Sequence, residues 1–426
     1  MKPLRIGLAG CGTVGGGLAR ILEMNGDIIR RRIGRDIEIA KVAVRDLKKK
    51  RAVDLPDGLF TTNPMDLATD PTIDVVVELM GGTTTARDLV TAALAAGKHV
   101  VTANKALLAR HGNELFDMAR ARNLHLCFEA AVAGGIPVIE ATKHDLGANR
   151  LLKLVGILNG TANYILTEMT AKCLEFDTAL AQAQALGYAE ADPTLDIGGG
   201  DAAHKLILLL RTAFGIDYPV DDLPVHGITM VTPEDISFAA QFGYQIKLVA
   251  QARMVGDKIE AGVYPALIPG HYLLAKVQGP MNAVWFTGNA VGQGMLYGQG
   301  AGDLPTGSAV MADLMTVAKE LPPDNDGFAN GPLPKADIID LDEAVSLHYL
   351  RFTVPDQPGV MRDIAGALAD HDISIAQAVQ QGEDLGRGVS IVFLTHEAKA
   401  GAIHAAMRQV EAMGLAKART MHYRIM

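Results

Sequence analysis

The residues best placed to do chemistry in this chain are two lysines and a set of acids. In "TLDIGGGDAAHKLILLL" (194–210), Asp201 follows three glycines, and Lys205 stands four residues after Asp201. On a helix that spacing sets the ammonium and the carboxylate on one face, a turn apart. Leu206, Ile207, Leu209 and Leu210 come next and predict burial. A lysine against such a wall is partly desolvated, which lowers its pKa and suits it to proton transfer. The neighbouring carboxylate keeps it charged and aimed, and Asp201 also suits the N-cap of the helix. Upstream, Glu190 and Asp196 lie in "GYAEADPTLD", where Pro193 interrupts helix. Acids converging on such a junction could hold a substrate ammonium. An ordinary capped helix with an i,i+4 ion pair fits the same spacing.

A second lysine, Lys105, ends "VVTANK" after an apolar strand-like run. In a doubly wound sheet that is the carboxyl edge, where ligands bind. A plain helix-start lysine is the alternative. His204, one residue from Lys205, is rotated off its face and reads as a satisfied helix residue. Cys127 in "HLCFEAAV" reads as a buried strand cysteine.

The elements that must position these groups alternate. "LRIGLA" (4–9), "IEIAKVAV" (37–44) and "IDVVVELM" (73–80) read as buried parallel strands. Helical patterns such as "ARDLVTAALAAG" (86–97) separate and follow them, and "KHVVTANK" (98–105) and "NLHLCFEAAV" (123–132) repeat the strand-then-polar-end pattern. Strand and helix in alternation predict an α/β, Rossmann-like doubly wound parallel sheet. That dinucleotide-binding domain is expected over 1–134 and completed by 300–320. From 135 to 299, Ala-rich helix such as "TALAQAQALGYAEA" (178–191) mixes with strands at 151–158 and 246–255, predicting a second, α+β domain. Residues 321–345 are rich in Pro, Gly, Asn and Asp and read as a linker. Residues 346–426 follow with strand, helix, strand, strand, helix, strand signals.

Gly10, Gly12 and Gly15 form G-x-G-x-x-G at the first strand–helix turn. There the glycines permit a tight turn, close approach of a pyrophosphate and close helix–strand packing. The helix start adds free N–H groups and the positive end of a dipole. Arg45 ends the second strand and suits a 2′-phosphate, pointing to NADP, although Asp46 stands beside it.

A net charge of −9 argues against a nucleic-acid partner. No apolar run reaches membrane-spanning length, so no membrane partner is expected. The start "MKPLRIGLAGCG" does not read as a signal peptide. Cys11, Cys127 and Cys173 give neither a disulfide framework nor a metal spacing. A cytoplasmic protein is expected.

Six blocks in order, "GLAGCGTVGGG", "VVTANKALLA", "FEAAVAGGIPVI", "GILNGTANYIL", "LGYAEADPTLDIGGGDAAHKL" and "GAGDLPTGSAVMADL", resemble the homoserine dehydrogenases over nearly the whole chain. The tail "LRFTVPDQPGVMRDIAGALADHDISIAQAVQQ" resembles an ACT domain, a ferredoxin-like regulatory unit. The resemblance implies interconversion of L-homoserine and L-aspartate 4-semialdehyde with NADP or NAD, in threonine and methionine biosynthesis. It implies Lys205 as proton donor to the carbonyl oxygen, with Lys105 assisting. It assigns Glu190 and Asp201 to the substrate's amino group and Asp196 to support. Thr161, Gly187 and Tyr188 would line the site, and Thr13, Val14, Ala301 and Gly302 would touch the cofactor. "EAAVAGGI" matches a monovalent-cation site in which main-chain oxygens of Glu129, Val132, Gly134 and Ile136 hold sodium. The same resemblance implies that 135–299 is the catalytic and dimerisation domain of a homodimer or homotetramer, and that an amino-acid effector, threonine, binds at the tail. In the tail, His371 and Asp372 stand where the ACT motif often carries Asn. The run Gly198–Gly199–Gly200 departs from the family's bulkier residues and predicts a looser loop. Two rivals differ in what they require. Aspartate-semialdehyde dehydrogenase chemistry needs a nucleophilic cysteine, and a redox-silent sensor has no need of Lys105, Lys205, Glu190 and Asp201 together.

Overall fold

The structure, a computed structural model, describes residues 2–329, 331–382 and 388–426. β1 (Leu4–Ala9) pairs in parallel with β2 (Ile37–Ala43) on one side and β4 (Val75–Glu78) on the other. β3 (Phe60–Thr61) joins beyond β2, and β5 (His99–Thr102) and β6 (Leu126–Cys127) beyond β4, giving the order β3-β2-β1-β4-β5-β6. Connections run through α1 (Thr13–Ile33), α2 (Met65–Thr69), α3 (Thr85–Ala95) and α4 (Lys105–Ala121). This is the doubly wound sheet expected from the sequence. Val75, Val76 and Val77 are all buried, as a strand covered on both faces requires. The strand order reverses between β1 and β4, and the crevice outside their carboxyl ends is where such sheets take ligands.

α11 (Asp303–Ala318) packs along α1. Leu18, Ile21 and Ile29 share one core with Val310, Leu314 and Val317. Burial of each such side chain is worth about 1.5–3 kcal/mol, so the 303–318 segment is an integral layer of the nucleotide-binding part. β7 (Leu151–Ile157), β10 (Met281–Gly288) and β11 (Gly292–Gln299) form an antiparallel ladder. α9 (Gly200–Phe214) packs on α4, and α5 (Val138–Glu140) runs into a π-turn. Together these make one compact unit of Met1–Gly160, Gly200–Leu223 and Pro280–Ala336.

The other unit comprises Thr161–Gly199, Pro224–Gly279 and Asp337–Met426. It holds α6 (Gly160–Lys172), α7 (Phe176–Ala185), α8 (Thr194–Ile197), α10 (Pro233–Gln241) and the long hairpin of β8 (Tyr244–Val255) and β9 (Lys258–Pro269). The tail adds β12 (Val345–Val354), α12 (Val360–Asp370), β13 (Ile375–Gln381), β14 (Val389–Thr395), the two-residue β15 (Ala398–Lys399), α13 (Ala400–Ala412) and β16 (Met421–Ile425). Its strands run in the order β16-β12-β14-β13, all antiparallel, with both helices packed over Leu350, Phe352, Ile391 and Phe393. That is the expected ferredoxin-like arrangement. β16 also pairs in parallel with β9, and Met426 N–H donates to Leu267 O.

These units cut across the segments read from the sequence. Residues 200–223 and 280–299 fall with the nucleotide-binding part, and the tail falls with 224–279. Residues 321–345 hold a 3-10 turn (Leu341–Glu343) and single bridge residues at Lys335 and Ile338 before β12, and they are tied down. Asn325 Oδ1 accepts the Leu126 N–H, and buried Asp326 pairs with Arg120 and Arg211. The helix expected over 178–191 ends at Ala185, because Gly187 turns left-handed at φ +78°. Residues 186–193 are therefore loop. The strand expected in 123–132 shrinks to Leu126–Cys127 before a 3-10 turn at Glu129–Ala131.

Candidate active site

The nucleotide turn has the sterics its glycines imply. Gly10 sits at φ +101°, and a Cβ there would fall 2.7 Å from Leu79 O. A Cβ on Gly15 would fall 2.2 Å from Gly10 O, so helix and strand can meet only with glycine there. Gly12 and Thr13 are exposed and Val14 half-buried at the start of α1, with Ala301 and Gly302 exposed just before α11. Opposite the glycine turn, across the switch point, buried Glu78 accepts the N–H groups of Met80 and Gly81 and the Thr102 hydroxyl. A carboxylate thus shapes the loop after β4. Arg45 is exposed two residues past β2.

Lys105 is the first residue of α4. Asn104 caps that helix, its Oδ1 accepting the Leu107 N–H at 3.0 Å, while its Nδ2 donates to Gly82 O at 2.6 Å. The cap turns the Lys105 side chain toward α9. There its Nζ lies 3.1 Å from Asp201 Oδ1. Lys205 Nζ donates to Asp201 Oδ2 at 2.7 Å and to Leu158 O at 2.6 Å. Asn159 Nδ2 donates to Asp201 Oδ2 at 2.9 Å, and Asn282 Nδ2 to Leu158 O at 2.9 Å. One buried carboxylate therefore carries two ammonium groups and an amide. Burial opposes ionisation of Asp201, but the charges of Lys205 and Lys105 and the hydrogen bonds from Lys205 and Asn159 outweigh it. Its carboxyl is held well below the usual carboxylate range. A buried ion pair recovers its desolvation cost only when its remaining valences are satisfied, and here Asn159 and Leu158 O supply them. Lys205 is the more enclosed ammonium, its side chain 10% exposed against 34% for Lys105.

The expected i,i+4 pairing is thus present, but its helix geometry differs from expectation. α9 begins at Gly200, so Asp201 lies inside the first turn and its carboxylate serves the lysines instead of capping the helix. His204 also departs from the sequence reading. Its Nδ1 is buried without a partner among the described residues, and burial lowers its pKa.

In the second unit, Thr161 on the first turn of α6 donates to Tyr188 O at 2.6 Å and to Asp196 Oδ2 at 3.3 Å. The Tyr188 ring packs on Tyr164 with centroids 4.7 Å apart. Gly187 begins the same loop, and Glu190 on it is exposed. The looser loop expected at the glycine run is overturned. Gly199 is buried at φ +88°, where a Cβ would sit 3.0 Å from Val225 and 3.2 Å from Val263. The glycines there make room for packing.

Glu129, Val132, Gly134 and Ile136 are all buried, with Gly135 and Pro137 exposed between and after them. The Glu129 carboxylate accepts the N–H groups of Ile139 and Glu140, and the Glu129 N–H donates to buried Asp313. Burial pushes the Glu129 carboxyl up to about 7 and raises that of Asp313. The carbonyls of Glu129 and Ile136 already accept from Val132 and Val138, whereas among the described residues none donates to those of Val132 and Gly134. No group of three or more His, Cys, Asp or Glu among the described residues is arranged for a metal ion.

Neither buried thiol suits covalent catalysis. Cys127 is buried in β6 and Cys11 half-buried, and burial raises the pKa of both, the reverse of an activated nucleophile. No helix among the described residues is long and apolar enough to cross a membrane. Residue types alone did not reveal Glu78, Asn159 and Asn282, although the order Asn104–Lys105 before "ALLA" carries a cap signal.

The homoserine dehydrogenase family profile matches residues 137–315, its NAD-binding domain profile residues 10–129, and the ACT domain profile residues 348–414. The chain is 44% identical to homoserine dehydrogenase of Neisseria gonorrhoeae over 420 residues, covering 97% of this chain and 96% of that one. It is 45% identical to that of Pseudomonas aeruginosa with the same coverage. The crystal structure of a homoserine dehydrogenase from Thiobacillus denitrificans superimposes with a TM-score of 0.92 at 46% identity, over 100% of this chain and 99% of that one. A hyperthermophilic archaeal homoserine dehydrogenase in complex with NADPH matches at TM-score 0.65 and 26% identity, over 76% of this chain and 99% of that one.

Proposed function

Since this chain belongs to the homoserine dehydrogenase family, an NAD(P)-dependent oxidoreductase line of amino-acid biosynthesis, we propose that Lys205 is its proton donor and Lys105 its electrostatic assistant. The reaction interconverts L-homoserine and L-aspartate 4-semialdehyde. The bound dinucleotide supplies or accepts the hydride. Lys205 gives its proton to the aldehyde oxygen as negative charge develops there, and takes one back in the reverse direction. Lys105, more exposed, adds a positive field at that oxygen. Asp201 holds and aims both lysines. The observation that carries this reading is the pair of ammonium groups held on one buried carboxylate.

Glu190, Asp196 and Asp201 take the substrate's amino group, with Thr161, Gly187 and Tyr188 lining its place. Gly10, Gly12, Thr13, Val14 and Gly15 admit the pyrophosphate, with Ala301 and Gly302 also against the cofactor. Arg45 favours NADP. Main-chain oxygens of Glu129, Val132, Gly134 and Ile136 hold a structural sodium ion. The enzyme works in the cytoplasm as a homodimer or homotetramer, regulated by threonine at the tail. The segments act as a dinucleotide-binding domain (1–134 with 300–320), a catalytic and dimerisation domain (135–299) and an ACT domain (346–426).

The test is one assay: homoserine oxidation with NADP and with NAD, with and without threonine, beside light scattering at micromolar concentration. Homoserine-dependent reduction of either dinucleotide is expected. No turnover with either removes the reading, and a fully active monomer removes the oligomer.

A further inference from the structure

A buried lysine outside this machinery remains to be explained. Lys247, on β8, is 2% exposed, and its cross-strand neighbour is Ala266. Among the described residues no carboxylate pairs with it. Its Nζ donates instead to two neutral oxygens, Val277 O at 2.6 Å and Asn163 Oδ1 at 3.0 Å. Burial lowers its pKa to about 8. A methionine would fill this space without desolvating a charge, so the ammonium costs stability that only its bonds offset.

Those bonds hold the start of α6. With Oδ1 taken by Lys247, the Asn163 amide must point Nδ2 away, and it donates to Val277 O at 3.2 Å and Gly279 O at 2.9 Å. Thr167 closes the knot, donating to Asn163 O at 2.7 Å and accepting the Gly279 N–H at 3.1 Å. Thr161 stands two residues before Asn163, so on a helix it faces roughly the opposite side. That side bonds Tyr188 O and Asp196. The first turn of α6 is thus gripped by Lys247 on one face and grips the 188–196 loop with the other.

We propose that Lys247 is a positioning residue for substrate: by bridging Asn163 and Val277 it sets the first turn of α6, and through Thr161 the loop bearing Tyr188, Glu190 and Asp196. This rests on the reading that those loop residues hold homoserine. Lys247 touches no reacting atom, and it acts on substrate affinity without altering dinucleotide affinity.

The test compares Lys247→Met, which keeps length and loses the charge, with Asn163→Ala, which breaks the bridge from its other end. Both are expected to raise KM for homoserine about tenfold, the scale of a lost hydrogen bond to a charged group, with KM for the dinucleotide within about twofold. Unchanged KM with only a lower melting temperature would make Lys247 merely structural, as would equal rises in both constants. If Lys247→Met does not fold, Asn163→Ala decides by the same outcomes. If the wild type does not oxidise homoserine, the proposed function fails separately, and hydrogen exchange then reads the positioning directly. Faster exchange in 160–164 and 187–196 of either variant supports it, and unchanged exchange overturns it.

Discussion

Lys105 and Lys205 meet on a single carboxylate, Asp201, at 3.1 Å from Oδ1 and 2.7 Å from Oδ2. The two lysines lie 100 residues apart in sequence, so one acid sets their spacing. Without it, two like charges would face each other in a largely buried place. The arrangement keeps one ammonium enclosed and the other partly open, a difference that suits the proton donor and the source of positive field proposed for them.

Lys205→Ala should abolish turnover while leaving dinucleotide binding nearly intact. A general acid contributes roughly 10²–10⁴-fold, so a fall in kcat of about tenfold or less would sink the assignment. Fluorescence titration with the reduced dinucleotide checks that binding survives.

Asp201→Asn should disable both lysines at once and destabilise the fold, since removing one partner of a buried pair costs about 3–5 kcal/mol. The pH dependence has a definite sign. The folded-state pKa of Asp201 lies below its unfolded value, so its stabilisation is fully present above that unfolded value, about 4. It is lost as pH falls through the folded pKa. Denaturant midpoints of wild type and variant should therefore differ by a constant amount at neutral pH and converge only below about pH 4. Convergence already between pH 5 and 7 would contradict the assignment.

How much of this was legible beforehand differs by residue. The strand–glycine–helix start and the four-residue spacing of Asp201 and Lys205 carry their meaning locally, because sheet periodicity and helix pitch are properties of neighbouring residues. The sharing of Asp201 with Lys105 is not local: it requires α4 to pack on α9, and no spacing encodes that. Asn159 and Asn282 are likewise ordinary asparagines until β7 and β10 pair. The glycine run at 198–200 misled because a triplet of glycines reads as slack, whereas Gly199 is there to let Val225 and Val263 close in. The end of α7 was missed because alanine-rich sequence continues the helical pattern past the left-handed Gly187.

Arg45→Ala should raise KM for NADP about tenfold and leave KM for NAD nearly unchanged, because a charge-assisted bond to a 2′-phosphate is worth ~1.5–3 kcal/mol. Its exposed place just past β2 suits that contact. Equal effects on both dinucleotides would remove the inference.

The last prediction concerns the tail. α12 starts at Val360 after Gly359, behind "VPDQPG", and its free N–H groups suit a carboxylate. Asp356 on that turn accepts from Gln380 on β13, and Asp372 follows α12 in a left-handed conformation, φ +57°. Asparagine and aspartate are the side chains most at home there, which accounts for Asp372 where the motif often carries Asn, and an acid there can accept an effector's ammonium. Cutting the tail off near residue 340 is not a clean test. Arg351 Nε donates to fully buried Asp235 on α10 at 2.6 Å, Tyr349 and Tyr423 donate to the same carboxylate, and β16 pairs with β9. Removing the tail would strip these partners from Asp235, a loss that itself destabilises by about 3–5 kcal/mol. The sound comparison is the full chain against Asp372→Ala and Asp356→Ala. Calorimetry should show threonine binding to the wild type, weakened by roughly tenfold in Asp372→Ala through the lost charge-assisted bond. Coupling must be reciprocal: homoserine must shift threonine affinity by the same factor by which threonine shifts homoserine affinity. Absence of heat together with unchanged activity in threonine would make the tail a structural extension of the β8–β9 sheet, held on by Arg351 and Asp235.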